Sequence, residues 1–323
     1  MSIGALVPYF GQKRKHAPRI VSELCAAGVP AFFAEPFCGS MAVSLAMPEV
    51  PTHLVNDLNG MLTNLAIVLS WEYEGPQLVE RLRRSLCSEA VYERACRVLT
   101  SPTPANERSE PEALAWAYAV SQWLGPNGAP QGDERFCVRF GPGGGDPATR
   151  LRAAADALDG FRERLRRFTI LNRDAFGVLE KIADEPNAAV YADPPYLMST
   201  RGAGAYRHDF EDHGGGIFQT QQDDHDRLSE ALGRFEHARV VVSYYDAPRL
   251  AELYPAPRWR KVVLGAEDAG LANASGETGR ERIEVLLIND GEYAASCPDP
   301  GPGDCDEMTS GDDVLASEAD ADL

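Results

Sequence analysis

Short apolar runs alternate with amphipathic stretches along most of the chain, and this alternation predicts an α/β fold. The runs that stop abruptly at polar residues or prolines are expected to be buried strands, at residues 31–34, 52–55, 169–171 and 188–192. A β-branched run predicts a fifth strand, and two later runs predict a closing pair that includes an antiparallel strand, at residues 238–243, 259–264 and 281–288. Helical spacing of apolar residues lies between most of these runs, so we expect a mostly parallel sheet.

Between the second and third predicted strands the pattern becomes mainly helical, over residues 71–167. Helices are predicted at residues 77–86, 89–99, 112–124 and 151–168. The segment carries fourteen arginines, no lysine and fourteen acidic residues. Two interpretations stay open: a DNA-contacting subdomain, and a helical cap whose charges pair with one another. The expected organisation is a sheet domain from residues 1–70 and 168–292, an inserted subdomain at 71–167, and a tail at 293–323.

The charge of the chain is concentrated at one end. A net charge of −18 argues at first against a nucleic-acid partner, because phosphate contacts come from Lys and Arg. However, residues 297–323 hold nine acidic residues and no basic one, so half of the deficit belongs to a tail that we expect to be disordered. The chain has no apolar run of membrane-spanning length, a secretory signal is not expected from its N-terminal pattern, and its seven cysteines never fall in a CxxC pair. We therefore expect a cytoplasmic protein without membrane attachment, disulfides or a metal site.

Acidic residues stand at the ends of four predicted strands: Glu35, Asp57, Asp174 and Asp193. The carboxyl ends of parallel strands meet at one edge of a sheet, which is where open α/β sheets bind ligands. Asp57 follows a Gly-containing turn by about twenty residues, the spacing at which an acid reaches a ribose. A helix cap is the other interpretation of Asp57, because helical spacing begins directly after it.

The segment Asp193-Pro194-Pro195-Tyr196 stops the apolar run at 188–192, because two prolines continue neither a strand nor a helix. It presents a carboxylate, rigid carbonyl groups and an aromatic ring. Such a group of residues is suited to accept two hydrogen bonds from an amino group and to stack on the heterocycle that carries it. A simple strand-terminating turn with a capping Asp is the alternative.

The segment around Arg135 and Arg139 in the predicted insert has the composition of a DNA-contacting loop or hairpin, with arginine and aromatic residues among flexible turns. A second, polar and Gly-rich segment contains Tyr206 and Arg207 and is expected to be mobile without a ligand. We expect these four side chains to contact DNA.

With these motifs in hand, residues 5–290 resemble the Dam-like family of adenine-specific DNA methyltransferases. The resemblance rests on the order of five motifs: an aromatic-Gly-x-Lys element, a cofactor loop, a ribose-binding acid, an Asp-x-Phe element and a DPPY signature. It implies that S-adenosylmethionine is bound by Tyr9, Phe10, Gly11, Lys13, Glu35, Pro36, Phe37, Gly39, Asp57, Asp174 and Ala175. Gln12 and Met41 depart from the pattern, because family members commonly have glycine at both positions.

The resemblance also implies a fold and a reaction. The fold is a Rossmann-like methyltransferase sheet, mostly parallel with an antiparallel C-terminal strand, and the helical insert is a target-recognition subdomain. The reaction transfers a methyl group to the N6 amine of an adenine flipped out of double-stranded DNA, without a metal. Asp193, Pro194, Pro195 and Tyr196 form the catalytic segment, in which Asp193 and the Pro194 carbonyl accept the two amine hydrogens and Tyr196 stacks on the base. The enzyme is expected to be a monomer or weak dimer. Methylation of cytosine N4, and an inactive DNA-binding protein with the same fold, are the alternatives.

Overall fold

A seven-stranded sheet forms the centre of the computed structural model. The structure describes residues 4–8, 13–100, 110–125, 136, 147–197, 200, 221–267 and 282–289. Its strands are β1 (Phe32–Glu35), β2 (Thr52–Asn56), β3 (Phe168–Leu171), β4 (Ala188–Ala192), β5 (Arg239–Tyr245), β6 (Trp259–Glu267) and β7 (Arg282–Asn289). Their order is β3-β2-β1-β4-β5-β7-β6.

Six of the seven strands run in one direction. Strands β1 to β5 pair in parallel, whereas β7 is antiparallel to both β5 and β6 and lies between them. All seven predicted strands are present, and the predicted mostly parallel α/β sheet with an antiparallel C-terminal strand is confirmed.

Ten α-helices are found in the described residues. They are α1 (Ala17–Leu24), α2 (Ala42–Ala46), α3 (Gly60–Ser70), α4 (Glu74–Arg84), α5 (Glu89–Thr100), α6 (Pro111–Leu124), α7 (Pro147–Leu165), α8 (Ala175–Leu179), α9 (Gln221–Gly233) and α10 (Leu250–Leu253). The predicted helix at 151–168 is wrong at both ends. It begins at Pro147 and stops at Leu165, because Phe168 already pairs with His53 as the first residue of β3. None of the described helices is long and apolar enough to cross a membrane.

Both faces of the central strands are covered, which explains why β4 is apolar throughout. Val190 packs on one face in a cluster with Leu228 of α9, and Tyr191 packs on the other face in a cluster with Ile20 of α1. The predicted alternation of strands and helices therefore produces three layers, with the carboxyl ends of the strands left as an edge.

The insert between β2 and β3 contains α4 to α7. These helices share one apolar cluster with α3, which includes Leu65, Trp116 and Leu158. That the insert forms a separate recognition subdomain stays a prediction. The predicted acidic tail, residues 293–323, lies outside the described part of the chain.

His53 of β2 is buried between two aromatic rings. Its ring stacks on Phe168 with centroids 3.9 Å apart and meets the edge of Phe33 at 4.9 Å. Burial, with a smaller contribution from the charge of Arg164, lowers the pKa of His53 from 6.5 to about 3. The folded protein therefore keeps His53 neutral at a pH where the unfolded chain protonates it.

We expect this difference to destabilise the protein as the pH falls below 6.5. Because the unfolded state binds the extra proton, His53 should remove about 1.4 kcal/mol of folding free energy between pH 8 and pH 5.5. Urea unfolding at pH 8 and at pH 5.5 gives the change in the free energy of unfolding between the two pH values. The wild type should lose about 1.4 kcal/mol more than His53→Leu over this range. Equal pH dependences in the two proteins would show that His53 titrates normally.

Candidate active site at the carboxyl edge of the sheet

Asp193 directly follows β4 and stands at the point where the strand order reverses. Strand β4 lies next to β1. From β1 the chain continues to β2 on one side of this pair, whereas from β4 it continues to β5 on the other side. In open α/β sheets the crevice at such a point is the usual ligand site. Glu35, the last residue of β1, is the neighbour of Asp193 at this edge.

Four polar side chains from distant parts of the chain form an ion-pair cluster at Asp193. The Lys13 Nζ lies 3.2 Å from Asp193 Oδ1 and 3.4 Å from Glu284 Oε1. The Tyr196 hydroxyl lies 3.0 Å from Asp193 Oδ1 and 2.5 Å from Glu284 Oε1. Lys13, Tyr196 and Glu284 are buried, whereas the Asp193 side chain is 21% exposed. Asp193 is therefore the solvent-facing end of the cluster.

The Tyr196 ring is covered in this structure. It is 1% exposed and meets the edge of Tyr245 with ring centroids 4.7 Å apart, while the Lys13 Nζ lies 4.9 Å from its centroid. Stacking of this ring on a base stays a prediction, and it requires the ring to be uncovered first.

Glu35 is a buried carboxyl group that bonds to helix α2. Its Oε2 accepts a hydrogen bond from the Ser44 backbone N at 3.0 Å and another from the Ser44 hydroxyl. Burial raises the pKa of Glu35 to about 8, helped by the charges of Asp193 and Asp57 and opposed by the Ser44 hydrogen bonds. Burial therefore favours the protonated form of Glu35 in this arrangement.

Asp57 fixes the turn that follows β1. Its Oδ2 accepts the Gly39 N–H and its Oδ1 accepts the Asn59 N–H, each at 2.8 Å. Gly39 has a φ of 44°, a backbone conformation that favours glycine. Burial raises the pKa of Asp57 above its ordinary value, and these two backbone hydrogen bonds oppose part of that rise.

Helix α3 is capped by Asn59 and not by Asp57, for which the sequence allowed a capping role. The Asn59 side chain accepts hydrogen bonds from the backbone N–H groups of Met61 and Leu62 at the start of α3. Asp57 is thus left to hold the turn, and its proposed contact with a ribose stays a prediction.

Asn56 is a site residue that the sequence analysis missed. Its Nδ2 donates to the Pro36 carbonyl at 2.9 Å and to the Arg173 carbonyl at 3.0 Å, and its Oδ1 accepts the Arg173 N–H at 3.0 Å. This buried amide ties the loops after β1 and β3 together. Its position immediately before Asp57 at the end of β2 was the available signal.

Asp174 lies at the same edge but is exposed, and its Oδ2 accepts the Gly177 N–H at 3.2 Å as the cap of α8. Ala175 next to it is buried, and Phe37 is half-buried against the cluster of Val190. Their contacts with a cofactor stay predictions. Seven other predicted site residues lie outside the described part of the chain: Tyr9, Phe10, Gly11, Arg135, Arg139, Tyr206 and Arg207.

Met41, which departs from the family pattern, is the one non-glycine residue with a positive φ among the described residues, at 58°. Its side chain is buried in the apolar cluster that contains Leu6 and Leu45. A glycine would adopt this backbone conformation without strain, whereas a methionine does so at a cost of roughly 1–2 kcal/mol. Burial of the side chain offsets that cost.

We expect Met41→Gly to lower the free energy of unfolding by about 1–3 kcal/mol, because the loss of a buried methionine exceeds the relief of backbone strain. Met41→Ala loses the same packing but keeps most of the strain, so it should be less stable than Met41→Gly by about 1 kcal/mol. Urea unfolding of the two variants shows which of them has the higher free energy of unfolding. If alanine is the more stable, the left-handed conformation at this position is wrong.

In the described ranges, no three His, Cys, Asp or Glu side chains are arranged to hold a metal ion.

Residues 9–93, about a quarter of the chain, match the family model of D12 class N6 adenine-specific DNA methyltransferases. The matched segment includes Lys13, Glu35, Gly39 and Asp57, and ends before Asp193. The predicted resemblance to adenine-specific DNA methyltransferases is confirmed over this segment.

No curated protein matches the sequence. Among the solved structures that match is one described as "Crystal structure of SMU.472, a putative methyltransferase complexed with SAH", with 10% identity and a TM-score of 0.28 over 85% of this chain and 53% of the other. The chain thus spans about half the length of that structure. A likeness of this size says nothing about the fold or ligand of this chain.

Proposed function

We propose that this chain, which resembles the D12 class over residues 9–93, transfers a methyl group from S-adenosylmethionine to the N6 amine of adenine in double-stranded DNA. The observation that carries the proposal is the position of Asp193. Its partly exposed carboxylate stands at the switch point of the sheet, beside the strand that leads into the Gly39 turn held by Asp57.

The residues around the Gly39 turn fit such a cofactor. At Gly39 the turn carries no side chain, and each Asp57 oxygen retains acceptor capacity beyond its single backbone hydrogen bond. Asp57 is therefore suited to bind the hydroxyls of a ribose. When bound, S-adenosylmethionine supplies an electrophilic methyl group on a sulfonium.

The acceptor side needs hydrogen-bond acceptors, because the lone pair of an exocyclic amine is delocalised into its ring. Asp193 and the Pro194 carbonyl would accept the two amine hydrogens and favour the geometry that frees this lone pair. Such stabilisation acts in the transition state, where positive charge develops on nitrogen. Inside the duplex the amine is out of reach of these groups, so the base would be flipped out.

Long-read sequencing of DNA from cells that express the protein tests this proposal. We expect N6-methyladenine in a defined sequence context in cells with the wild type, and strongly reduced methylation of the same sites in cells with Asp193→Asn. Methylated cytosine in place of adenine would identify the enzyme as a cytosine-N4 methyltransferase. Unmodified DNA, together with no binding of S-adenosylmethionine by calorimetry, would favour an inactive DNA-binding protein.

A further inference from the structure

Glu284 reaches the candidate active site from the antiparallel strand of the sheet. It is 1% exposed on β7 and pairs in register with Tyr245 of β5. Its Oε1 lies 2.5 Å from the Tyr196 hydroxyl and 3.4 Å from the Lys13 Nζ. A buried carboxyl group in contact with two members of the ion-pair cluster is expensive to desolvate, so its presence calls for an explanation.

The Tyr196 hydroxyl lies between two carboxyl groups but has only one proton. It is 3.0 Å from Asp193 Oδ1 and 2.5 Å from Glu284 Oε1, so both atoms are within hydrogen-bond distance. A hydroxyl group donates one hydrogen bond and also accepts. It can therefore donate to one carboxylate while it accepts a proton from the other, which is the geometry of a proton relay.

We propose that Glu284 is the end of a proton relay that starts at Asp193 and passes through the Tyr196 hydroxyl, an inference that rests on the proposed methyl transfer. As the new N–C bond forms and the C–S bond breaks, the amine nitrogen gains a positive charge and must lose a proton. Asp193 takes this proton and passes it to the Tyr196 oxygen, while the hydroxyl proton moves to Glu284. Asp193 is then ionised again, and Glu284 holds the proton.

Lys13 keeps the two ends of the relay electrostatically similar. Its Nζ is 3.2 Å from Asp193 Oδ1 and 3.4 Å from Glu284 Oε1, so its attraction for a negative charge differs little between them. The negative charge moves from Glu284 to Asp193 without losing its ion pair. After the product leaves, the proton returns by the same path to solvent at Asp193, whose side chain is 21% exposed.

Single-turnover methyl transfer by the wild type, Glu284→Gln, Tyr196→Phe and the double variant tests the relay. Glutamine keeps the shape of glutamate but cannot take a proton, and phenylalanine keeps the ring but lacks the hydroxyl. Because both single changes break the same path, each should slow transfer at least about tenfold, with the affinities for DNA and cofactor unchanged. The double variant should be no slower than the slower single variant, since the effects of a shared path do not add.

Two further variants separate the relay from a structural role. Glu284→Asp retains a proton acceptor and should recover most of the rate that Glu284→Gln loses. Glu230→Gln makes the same substitution at an exposed position of α9 and should transfer at the wild-type rate. Thermal unfolding followed by circular dichroism checks each fold, and if Glu284→Gln does not fold, the tenfold loss expected of Tyr196→Phe carries the test.

The relay is overturned if the wild type transfers methyl groups and Glu284→Gln or Tyr196→Phe does so equally fast, or if the losses of the two single variants multiply. A wild type that transfers no methyl group to DNA overturns the proposed function and the relay with it.

Discussion

Asp193→Asn is expected to slow methyl transfer by a factor on the order of 10²–10³, because it removes a preorganised acceptor from the transition state. An amide oxygen accepts a hydrogen bond more weakly than a carboxylate, and an amide group cannot take a proton. The change conserves volume, and Glu284 remains as an ion-pair partner of Lys13. Cofactor affinity should therefore stay near the wild-type value while the rate falls, as measured by single-turnover transfer of labelled methyl groups.

Asp246→Asn is the matched control for this variant. Asp246 directly follows β5 at the same edge of the sheet, but its carboxylate pairs with Lys261 at 3.0 Å on the surface. The control should transfer methyl groups at the wild-type rate. An Asp193→Asn protein that is as fast as this control would remove Asp193 from the mechanism.

Lys13→Met should have the largest effect on stability, because it leaves two carboxylates of the buried cluster without their lysine. Lys13 contacts both Asp193 and Glu284, and it is buried beside the Tyr196 ring. Removal of one partner of a buried ion pair costs about 3–5 kcal/mol, since the remaining charge stays desolvated. Urea unfolding measures this loss.

Lys181→Met removes a lysine from an exposed position and serves as the reference. It should change the free energy of unfolding by less than about 0.5 kcal/mol. Equal free energies of unfolding for Lys13→Met and Lys181→Met would show that the contacts of Lys13 in the ion-pair cluster do not stabilise the fold.

The edge that carries the site was predictable because each strand there is a short apolar run with an abrupt end. Glu35, Asp57 and Asp193 each stand at the end of such a run or directly after it, and the parallel pairing brings them to one side of the sheet. The roles of adjacent polar residues were less predictable. Asp57 and Asn59 both suit a helix cap, and only the hydrogen bonds show that Asn59 caps α3.

Contacts between distant segments were not predictable from one sequence. Glu284 meets Tyr196 because β7 inserts antiparallel between β5 and β6, and no local pattern specifies that placement. Lys13 was expected near the cofactor, yet its Nζ bonds to Asp193 and Glu284. The effect of Met41 on stability was likewise not predictable from the sequence, because it depends both on the packing of the side chain and on the conformation of the backbone.

Incubation of the purified protein with labelled S-adenosylmethionine and mixed-sequence double-stranded DNA, followed by digestion to nucleosides, tests the central claim most directly. We expect the label in N6-methyldeoxyadenosine with the wild type, and a rate lower by a factor on the order of 10²–10³ with Asp193→Asn. DNA that remains unlabelled with the wild type, or a label that the Asp193→Asn protein transfers equally well, would contradict the account.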